Sequence, residues 1–262
     1  MSMDVDAYLE RIGYDGARQP SLETLRSLHR RHLYTVPFEN LDIAMGIPIV
    51  LEPASLFDKI VVRRRGGFCY ELNGLFQDLL TAMGFTVSML SGCVRRDDGG
   101  FGPEFDHMLL KVEFSDPWLA DVGFGESFVD PLPLRAGAQE VEDGHLFGVV
   151  AENGGWELYR RDSDGMQIPL YRFSDVPREL WEYEEMCVYH QTSADSSFTR
   201  RRICTRAMPN GRITLAGMRL IETVNGSRKE TILSSEQELR TCLQEQFGVE
   251  LEPSIDWPKL MA

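Results

Sequence analysis

The hydrophobic pattern of this chain changes at Gly84, and the change limits the folds that the chain can adopt. In residues 69–84 apolar side chains recur at i, i+3, i+4, i+7 and i+8, the spacing that lines one face of an α-helix. Those side chains are Leu72, Leu75, Phe76, Leu79, Leu80 and Met83. From Phe85 onward the apolar residues instead form short β-branched or aromatic runs between turn-forming clusters. A helical part therefore precedes a β-rich part.

The segments on either side of this boundary predict the remaining elements. Helices are predicted over residues 4–11, 21–36, 54–62, 177–192 and 235–248. Strands are predicted within residues 85–94, 107–114, 118–124, 145–151, 156–160 and 166–173, with turns at 153–155 and 164–165. Residues 193–202 read as a loop, and residues 212–224 and 229–233 as a hairpin around Asn225-Gly226.

This order of elements predicts an α+β fold in three parts rather than a parallel α/β sheet. The parts are a helical region at residues 1–84, an antiparallel barrel or curled sheet at 85–190 and a mixed α/β region at 191–262.

Charge and composition argue against several functions. The 262 residues carry a formal net charge of −14, which repels phosphate backbones, so we do not expect nucleic-acid binding. The acidic N-terminus lacks the apolar run of a secretory signal, and no run approaches the roughly 18 apolar residues of a membrane span, so a cytoplasmic protein is expected. Five widely spaced cysteines without a CxxC pair argue against a disulfide framework and against a structural metal site.

Cys69 is the candidate nucleophile. It stands in the first turn of the predicted helix, beside unpaired backbone N–H groups that favour thiolate over thiol. Gly66 and Gly67 permit close approach of the backbone, and three arginines precede them. A cysteine taken alone is more often a small buried hydrophobic residue, so that alternative stays open.

A nucleophilic cysteine needs a base and a group that orients the base. His107 begins one predicted strand, and Asp121 ends another just before a glycine-flanked turn. Adjacent strands would bring both side chains to one edge of the sheet, above the helix of Cys69. Taken alone, His107 also fits a structural histidine, and Asp121 also fits a turn residue before glycine.

Four motifs, RRRGGFCYELN, PFENLDI, DHMLL and DVGFG, resemble those of the arylamine N-acetyltransferases in order and separation. The resemblance implies a helical bundle, a β-barrel and an α/β lid. It also implies a triad in which Cys69 accepts the acetyl group, His107 is the base and Asp121 orients it. The implied ping-pong reaction moves acetyl from acetyl-CoA, a co-substrate, to an arylamine, hydrazine or N-hydroxyarylamine nitrogen. No tightly bound cofactor and no metal are implied.

The same resemblance extends to neighbouring positions. Phe38 and Phe124 match residues that hold the aromatic acceptor, although both also fit a hydrophobic core. Glu39 and Arg64 match a structural ion pair, which would keep a buried arginine neutralised.

Binding of anionic CoA by an acidic protein needs local donors or cations. The candidates are the backbone N–H groups of Gly123 and Gly125 and the side chains of Arg200, Arg201 and Arg202. A charge run is usually a solvated surface, which is the alternative for the arginines. An amide synthase or thiol hydrolase with the same triad, and a binding protein with an inert Cys69, are the rival functions.

Overall fold

The computed structural model describes residues 3–140, 146–152, 154–162, 164–252, 255 and 257–261, and it confirms the α+β class. The α-helices are α1 (Val5–Arg11), α2 (Leu22–Thr35), α3 (Leu41–Met45), α4 (Pro53–Phe57), α5 (Cys69–Ala82), α6 (Glu184–Thr192), α7 (Ser197–Arg200), α8 (Glu236–Phe247) and α9 (Trp257–Met261). A π-helix covers Asp58–Val62 and a 3-10 helix covers Leu180–Tyr183. Among the residues that the structure describes, no helix is both long enough and apolar enough to cross a membrane.

The strands form two antiparallel sheets. They are β1 (Phe38–Glu39), β2 (Thr86–Val94), β3 (His107–Glu113), β4 (Trp118–Ala120), β5 (Leu132–Pro133), β6 (Gly137–Glu140), β7 (Leu146–Glu152), β8 (Gly155–Arg161), β9 (Gln167–Phe173), β10 (Ile203–Met208), β11 (Gly211–Ala216), β12 (Arg219–Val224) and β13 (Ser227–Ile232). The predicted start of a strand at His145 and the turn residue Asn153 lie outside the described residues.

Helix α5 is the helix that the hydrophobic pattern predicts, and most of its residues are buried. Its apolar stripe packs into the core of the helical part, and Gly84 (φ 88°) is the left-handed residue that ends the helix. The helix predicted over 54–62 is divided into α4 and the π-helix. Helix α3 was not predicted, because five residues are too few to show a helical period.

The larger sheet curls into the predicted barrel. Its strand order is β5-β4-β3-β2-β9-β8-β7-β6. Leu132 of β5 and Phe147 of β7, far apart in that order, belong to one buried cluster. The Phe128 ring, from the loop before β5, also lies 6.2 Å from the Phe147 ring. Side chains from both halves of the sheet therefore fill a common interior, as in a barrel.

The smaller sheet joins distant parts of the chain. Its order is β1-β10-β11-β12-β13, and Phe38 of β1 pairs with Thr205 of β10. The predicted Asn225-Gly226 turn is confirmed, with φ angles of 49° and 76°. Two predictions here are wrong: α7 lies in the predicted loop, and Gly217 (φ 59°) breaks residues 212–224 into two strands. The domain boundaries after residues 84 and 190 stay a prediction.

Two buried histidines of α2 connect the helical part to its surroundings. His29 Nδ1–H donates to the Val129 carbonyl (2.6 Å), and its Nε2 accepts from the Asp121 N–H (3.0 Å), so the ring is neutral. His32 Nδ1 is 2.8 Å from the Tyr8 hydroxyl. Burial lowers the pKa of both histidines below their usual value.

We expect the free energy of unfolding to decrease as the pH is lowered from about 7.5 to about 5.5. The unfolded chain binds protons at His29 and His32 below pH 6.5, whereas the folded chain keeps them neutral to lower pH. Each histidine contributes a slope of up to about 1.4 kcal/mol per pH unit. Urea unfolding at several pH values measures it; His32→Gln should show a shallower slope, and an unchanged slope would contradict this account.

Candidate active site

The segment before α5 carries Cys69 into the interior between the helices and the barrel. An added Cβ at Gly66 would lie 2.0 Å from the Pro37 carbonyl oxygen, so only glycine fits there. The Gly67 carbonyl accepts a hydrogen bond from the Glu39 N–H (2.8 Å). The chain is therefore fixed against β1 two residues before Cys69.

Buried charges hold the start of α5. Glu71 Oε2 accepts a hydrogen bond from the Phe68 N–H (3.1 Å), and its Oε1 contacts Lys59 Nζ (2.7 Å). Lys59 also contacts Asp42 (2.7 Å), whose second oxygen contacts Arg65 (2.8 Å). Burial raises the pKa of Glu71 against the lowering effect of Lys59. Alternating charges thus give each buried ion a counter-ion.

The predicted Glu39–Arg64 pair is wrong by one residue. Arg65, which is 5% exposed, contacts Glu39 Oε1 at 2.7 Å and also pairs with Asp42. Arg64 has an exposed side chain and a positive φ of 53°. This left-handed residue reverses the direction of the chain, so the next arginine is the one that points inward. The Arg64 carbonyl accepts a hydrogen bond from Arg11 (3.2 Å).

His107 and Asp121 form a buried pair. Their exposed fractions are 2% and 0%, and His107 Nε2 lies 2.8 Å from Asp121 Oδ2. Burial raises the pKa of Asp121, but His107, Asn73 and the Gly123 N–H together hold it below its usual value. The ionised carboxylate therefore accepts the Nε2 proton, which leaves Nδ1 as the basic nitrogen of His107.

The Asp121 carboxylate accepts hydrogen bonds from four segments. Besides His107 on β3, Oδ2 accepts from the Tyr171 hydroxyl on β9 (2.9 Å). Oδ1 accepts from Asn73 Nδ2 on α5 (2.9 Å) and from the Gly123 N–H in the turn after β4 (3.0 Å). Because both oxygens are occupied, the carboxylate has one fixed orientation toward His107.

Asn73 fastens the helix of Cys69 to two barrel strands. Its Nδ2 also donates to the Met108 carbonyl (2.7 Å), and its Oδ1 accepts from the Val122 N–H (3.0 Å). An added Cβ at Gly123 would lie 2.8 Å from Cys69 Cα, so the turn after β4 lies directly against the nucleophile. The structure therefore brings the three predicted catalytic residues into one buried site.

The helix start was expected to favour the Cys69 thiolate, but the thiol is less acidic than usual. Burial raises the pKa of the thiol well above its usual value, the Met108 N–H lowers it, and the charges of Asp121 and Asp106 raise it further. A helix start favours the anion only within its first turn and to a modest extent, whereas loss of water disfavours it strongly. An isolated thiolate is therefore unfavourable in this site, and the anion requires a nearby cation.

Aromatic residues lie beside this site. The Phe124 ring is half-buried and lies 5.1 Å from the His107 ring. An added Cβ at Gly125 would lie 3.7 Å from the Phe38 ring, which is 9% exposed. Phe198 of α7 was not predicted, and its half-buried ring lies 6.2 Å from that of Phe38.

The candidate CoA contacts differ in availability. The Gly123 N–H already donates to Asp121, so it is not a free donor, while Gly125 (φ 83°) is half-buried. Arg200 and Arg201 have exposed side chains, and Arg200 donates to backbone carbonyls of its own loop. Arg202 is half-buried and lines a small apolar cavity between the smaller sheet and α8.

Sequence reasoning missed three residues that position the site. Asn73 carried a signal, because it is a polar residue one turn after Cys69 on a largely apolar helix. Tyr171 and His29 carried none, because a tyrosine in a strand and a histidine in an amphipathic helix are both ordinary. Only the fold brings them to the side chain and the backbone of Asp121.

Comparison with known proteins shows which family this chain resembles in sequence and fold. A family model described as N-acetyltransferase matches residues 21–255. The arylamine N-acetyltransferase of Mycolicibacterium smegmatis is 34% identical over 259 residues, covering 96% of this chain and 94% of that protein. Arylamine N-acetyltransferase 1 of Homo sapiens is 33% identical over 279 residues, covering 97% and 96%.

A solved structure, Mycobacterium marinum arylamine N-acetyltransferase in complex with CoA, superimposes with a TM-score of 0.90 at 30% identity. The alignment covers 98% of this chain and 97% of that one. The family model, the relatives and the solved structure match nearly the whole length of the chain, which therefore belongs to the arylamine N-acetyltransferase family.

Proposed function

We propose that this protein transfers an acetyl group from acetyl-CoA through a thioester on Cys69 to the nitrogen of an arylamine, arylhydrazine or N-hydroxyarylamine. The observation that carries the proposal is the buried His107–Asp121 pair beside a cysteine at a helix start, in a chain of this family. The relative solved with CoA supports acetyl-CoA as the donor.

In the first half-reaction, His107 Nδ1 takes the proton of the Cys69 thiol as the sulfur attacks the thioester carbonyl. The imidazolium is then the cation that the buried thiolate requires, and Asp121 stabilises it through Nε2–H. CoA leaves as its thiol after taking that proton. In the second half-reaction the amine attacks the carbonyl of acetyl-Cys69, and His107 accepts the amine proton. The carbon–sulfur bond then breaks, the N-acetyl product leaves, and His107 returns the proton to the Cys69 sulfur.

The tetrahedral intermediate needs hydrogen-bond donors for its oxyanion. The N–H groups of Val122 and Gly123 donate to Asn73 and Asp121, so neither is free for this purpose. The N–H of Phe68 is bound by Glu71. The remaining first-turn amides of α5, beginning with that of Cys69, are the donors we propose.

Phe38 and Phe124 are proposed to hold the aromatic acceptor. Both rings border the buried site, and Phe124 is partly open to solvent. Aromatic rings bind one another by offset or edge contacts while leaving a nitrogen free to react, which suits an arylamine.

For CoA, the exposed Arg200 and Arg201 are better candidates than Arg202, whose side chain lines an apolar cavity. The segment of these arginines is anchored near the site, because Asn40 Nδ2 donates to the carbonyls of Phe198 (3.0 Å) and Arg201 (2.7 Å). Gly125 remains a candidate backbone donor.

Incubation with acetyl-CoA alone should add one acetyl group, located on Cys69 by peptide mass spectrometry. Cys69→Ser should accumulate no thioester, and Cys93→Ser, a change at a half-buried cysteine of β2, should acetylate normally. One equivalent of CoA should be released as Cys69 is acetylated, and further release should depend on added arylamine; continuous release without an amine would indicate a hydrolase instead. A wild-type protein without any adduct would refute the transfer through Cys69.

Replacing Asp121 by asparagine should lower the rate of acetylation by on the order of 10³ to 10⁴-fold, because the wrong His107 tautomer is then favoured. The exposed Asp116→Asn, just before β4, is the matched control and should keep the wild-type rate. Single-turnover acetylation measured with acetyl-CoA tests this prediction. A rate loss of less than tenfold would mean that Asp121 is only a structural residue.

Reversing charge at Arg200 and Arg201 to glutamate should raise the dissociation constant of CoA by about tenfold at low salt, and the difference should shrink in high salt. The double variant Arg18→Glu, Arg228→Glu, at two exposed positions outside this segment, has the same change in net charge and is the control. Calorimetric titration with CoA measures both effects. Equal CoA affinities of the Arg200/Arg201 variant and the wild-type protein would mean that these arginines do not contact CoA.

A further inference from the structure

A second histidine–aspartate pair adjoins the proposed catalytic residues. His190, at the end of α6, is 4% exposed, and its Nε2 lies 3.5 Å from Asp106 Oδ1. Asp106 immediately precedes His107, and its other oxygen accepts the Val94 N–H (3.3 Å). The pair therefore links α6 of the C-terminal half to the residue next to the catalytic base.

The tautomer of His190 follows from its neighbours. Ser196 Oγ accepts the Phe198 N–H (3.2 Å) and lies 3.2 Å from His190 Nδ1, so its hydroxyl can donate to that nitrogen, while the Asp106 carboxylate favours a proton on Nε2. The neutral ring then carries its proton on Nε2, facing Asp106. At 3.5 Å this contact is an electrostatic attraction rather than a strong hydrogen bond.

The ring of His190 also contacts the residues on both sides of Cys69. It lies 6.4 Å from the Phe68 ring and 6.0 Å from the Tyr70 ring, and the Tyr70 hydroxyl donates to the Phe105 carbonyl. The residues that flank the nucleophile and those that precede the base therefore meet at one buried imidazole. Nothing in the proposed reaction assigns a role to it.

We propose that Asp106 and His190 are positioning residues of the active site, which hold the start of β3 against the start of α5 and set the charge beside Cys69. The proposal rests on the proposed roles of Cys69 and His107. The charge of Asp106 opposes ionisation of the Cys69 thiol, and an imidazole that faces the Asp106 carboxylate at 3.5 Å reduces this opposition. Asp106 and His190 therefore have opposite effects on ionisation of the Cys69 sulfur.

Other ionisable groups near Cys69 and His190 also affect their pKa, and the test variants leave these groups unchanged. Besides the proposed base His107, the groups that act on Cys69 include Asp121 and Asp106 of the barrel, Cys187 of α6, Tyr70 of α5 and Tyr183 of the 3-10 helix. Those that act on His190 are Asp106 and His107. Removal of Asp106 or His190 thus leaves the other charges in place, so a shift can be assigned to the pair.

The test is the pH dependence of Cys69 alkylation by iodoacetamide in the full-length protein, read by peptide mass spectrometry. Asp106→Asn should lower the midpoint by about one to three pH units, the range expected for one charge roughly 4 to 12 Å away at an effective dielectric constant of about 20. His190→Leu should raise the midpoint, and His190→Gln, which keeps a donor, should raise it less. The double variant Asp106→Asn, His190→Leu should match Asp106→Asn alone, because His190 acts through Asp106.

Asp97→Asn, an exposed carboxylate of the preceding loop, should leave the midpoint unchanged. Midpoints that stay at the wild-type value in folded Asp106→Asn and His190→Gln proteins would overturn the role of the pair, as would shifts that simply add in the double variant. A wild-type Cys69 that reacts no faster than Cys187 would instead overturn the proposed nucleophile. The two failures are therefore distinguishable.

Discussion

The fold and the site of this protein both depend on one buried carboxylate. Asp121 is fully buried, and it accepts hydrogen bonds from Tyr171, His107, Asn73 and Gly123. Its own N–H donates to His29 of α2. An ion in this position is tolerated only because every lone pair is used, since an unpaired buried charge costs several kcal/mol. The hydrogen bonds that stabilise the buried charge of Asp121 also fix the orientation of the His107 imidazole.

A second set of buried ions performs a different task at the other end of the site. Lys59 and Arg65 neutralise carboxylates beneath the segment that leads to Cys69, and Glu71 accepts a hydrogen bond from the N–H of Phe68, the residue just before α5. These groups touch neither the thiol nor the base. They determine where α5 starts. Because Cys69 is the first residue of α5, its position depends on how firmly that start is held.

Much of this architecture was predictable, because strong periodic patterns mark α5, α8 and the barrel strands. The candidate residues Cys69, His107 and Asp121 could be selected because each stands at one end of a predicted element, while their proposed roles came from the resemblance to the family. Short elements such as α3 and β1 have too few residues for a period to appear. Arg65, and not the predicted Arg64, pairs with Glu39 because Arg64 has a left-handed backbone conformation. The sequence gives no sign of that conformation at an arginine. Phe198 and His190 reach the site only through tertiary contacts.

The pairing of β1 with β10 has a consequence for how the protein is made. It joins Phe38 to Thr205, so the whole barrel lies within the loop that this pairing closes. Contacts of such long sequence separation form late and slowly. During synthesis from the N-terminus, Cys69, His107 and Asp121 are all present before the strand that completes the smaller sheet, and before the segment of His190 and Phe198. The nascent chain thus exposes an unpaired edge at β1, and the active site is completed only when the last third of the protein arrives.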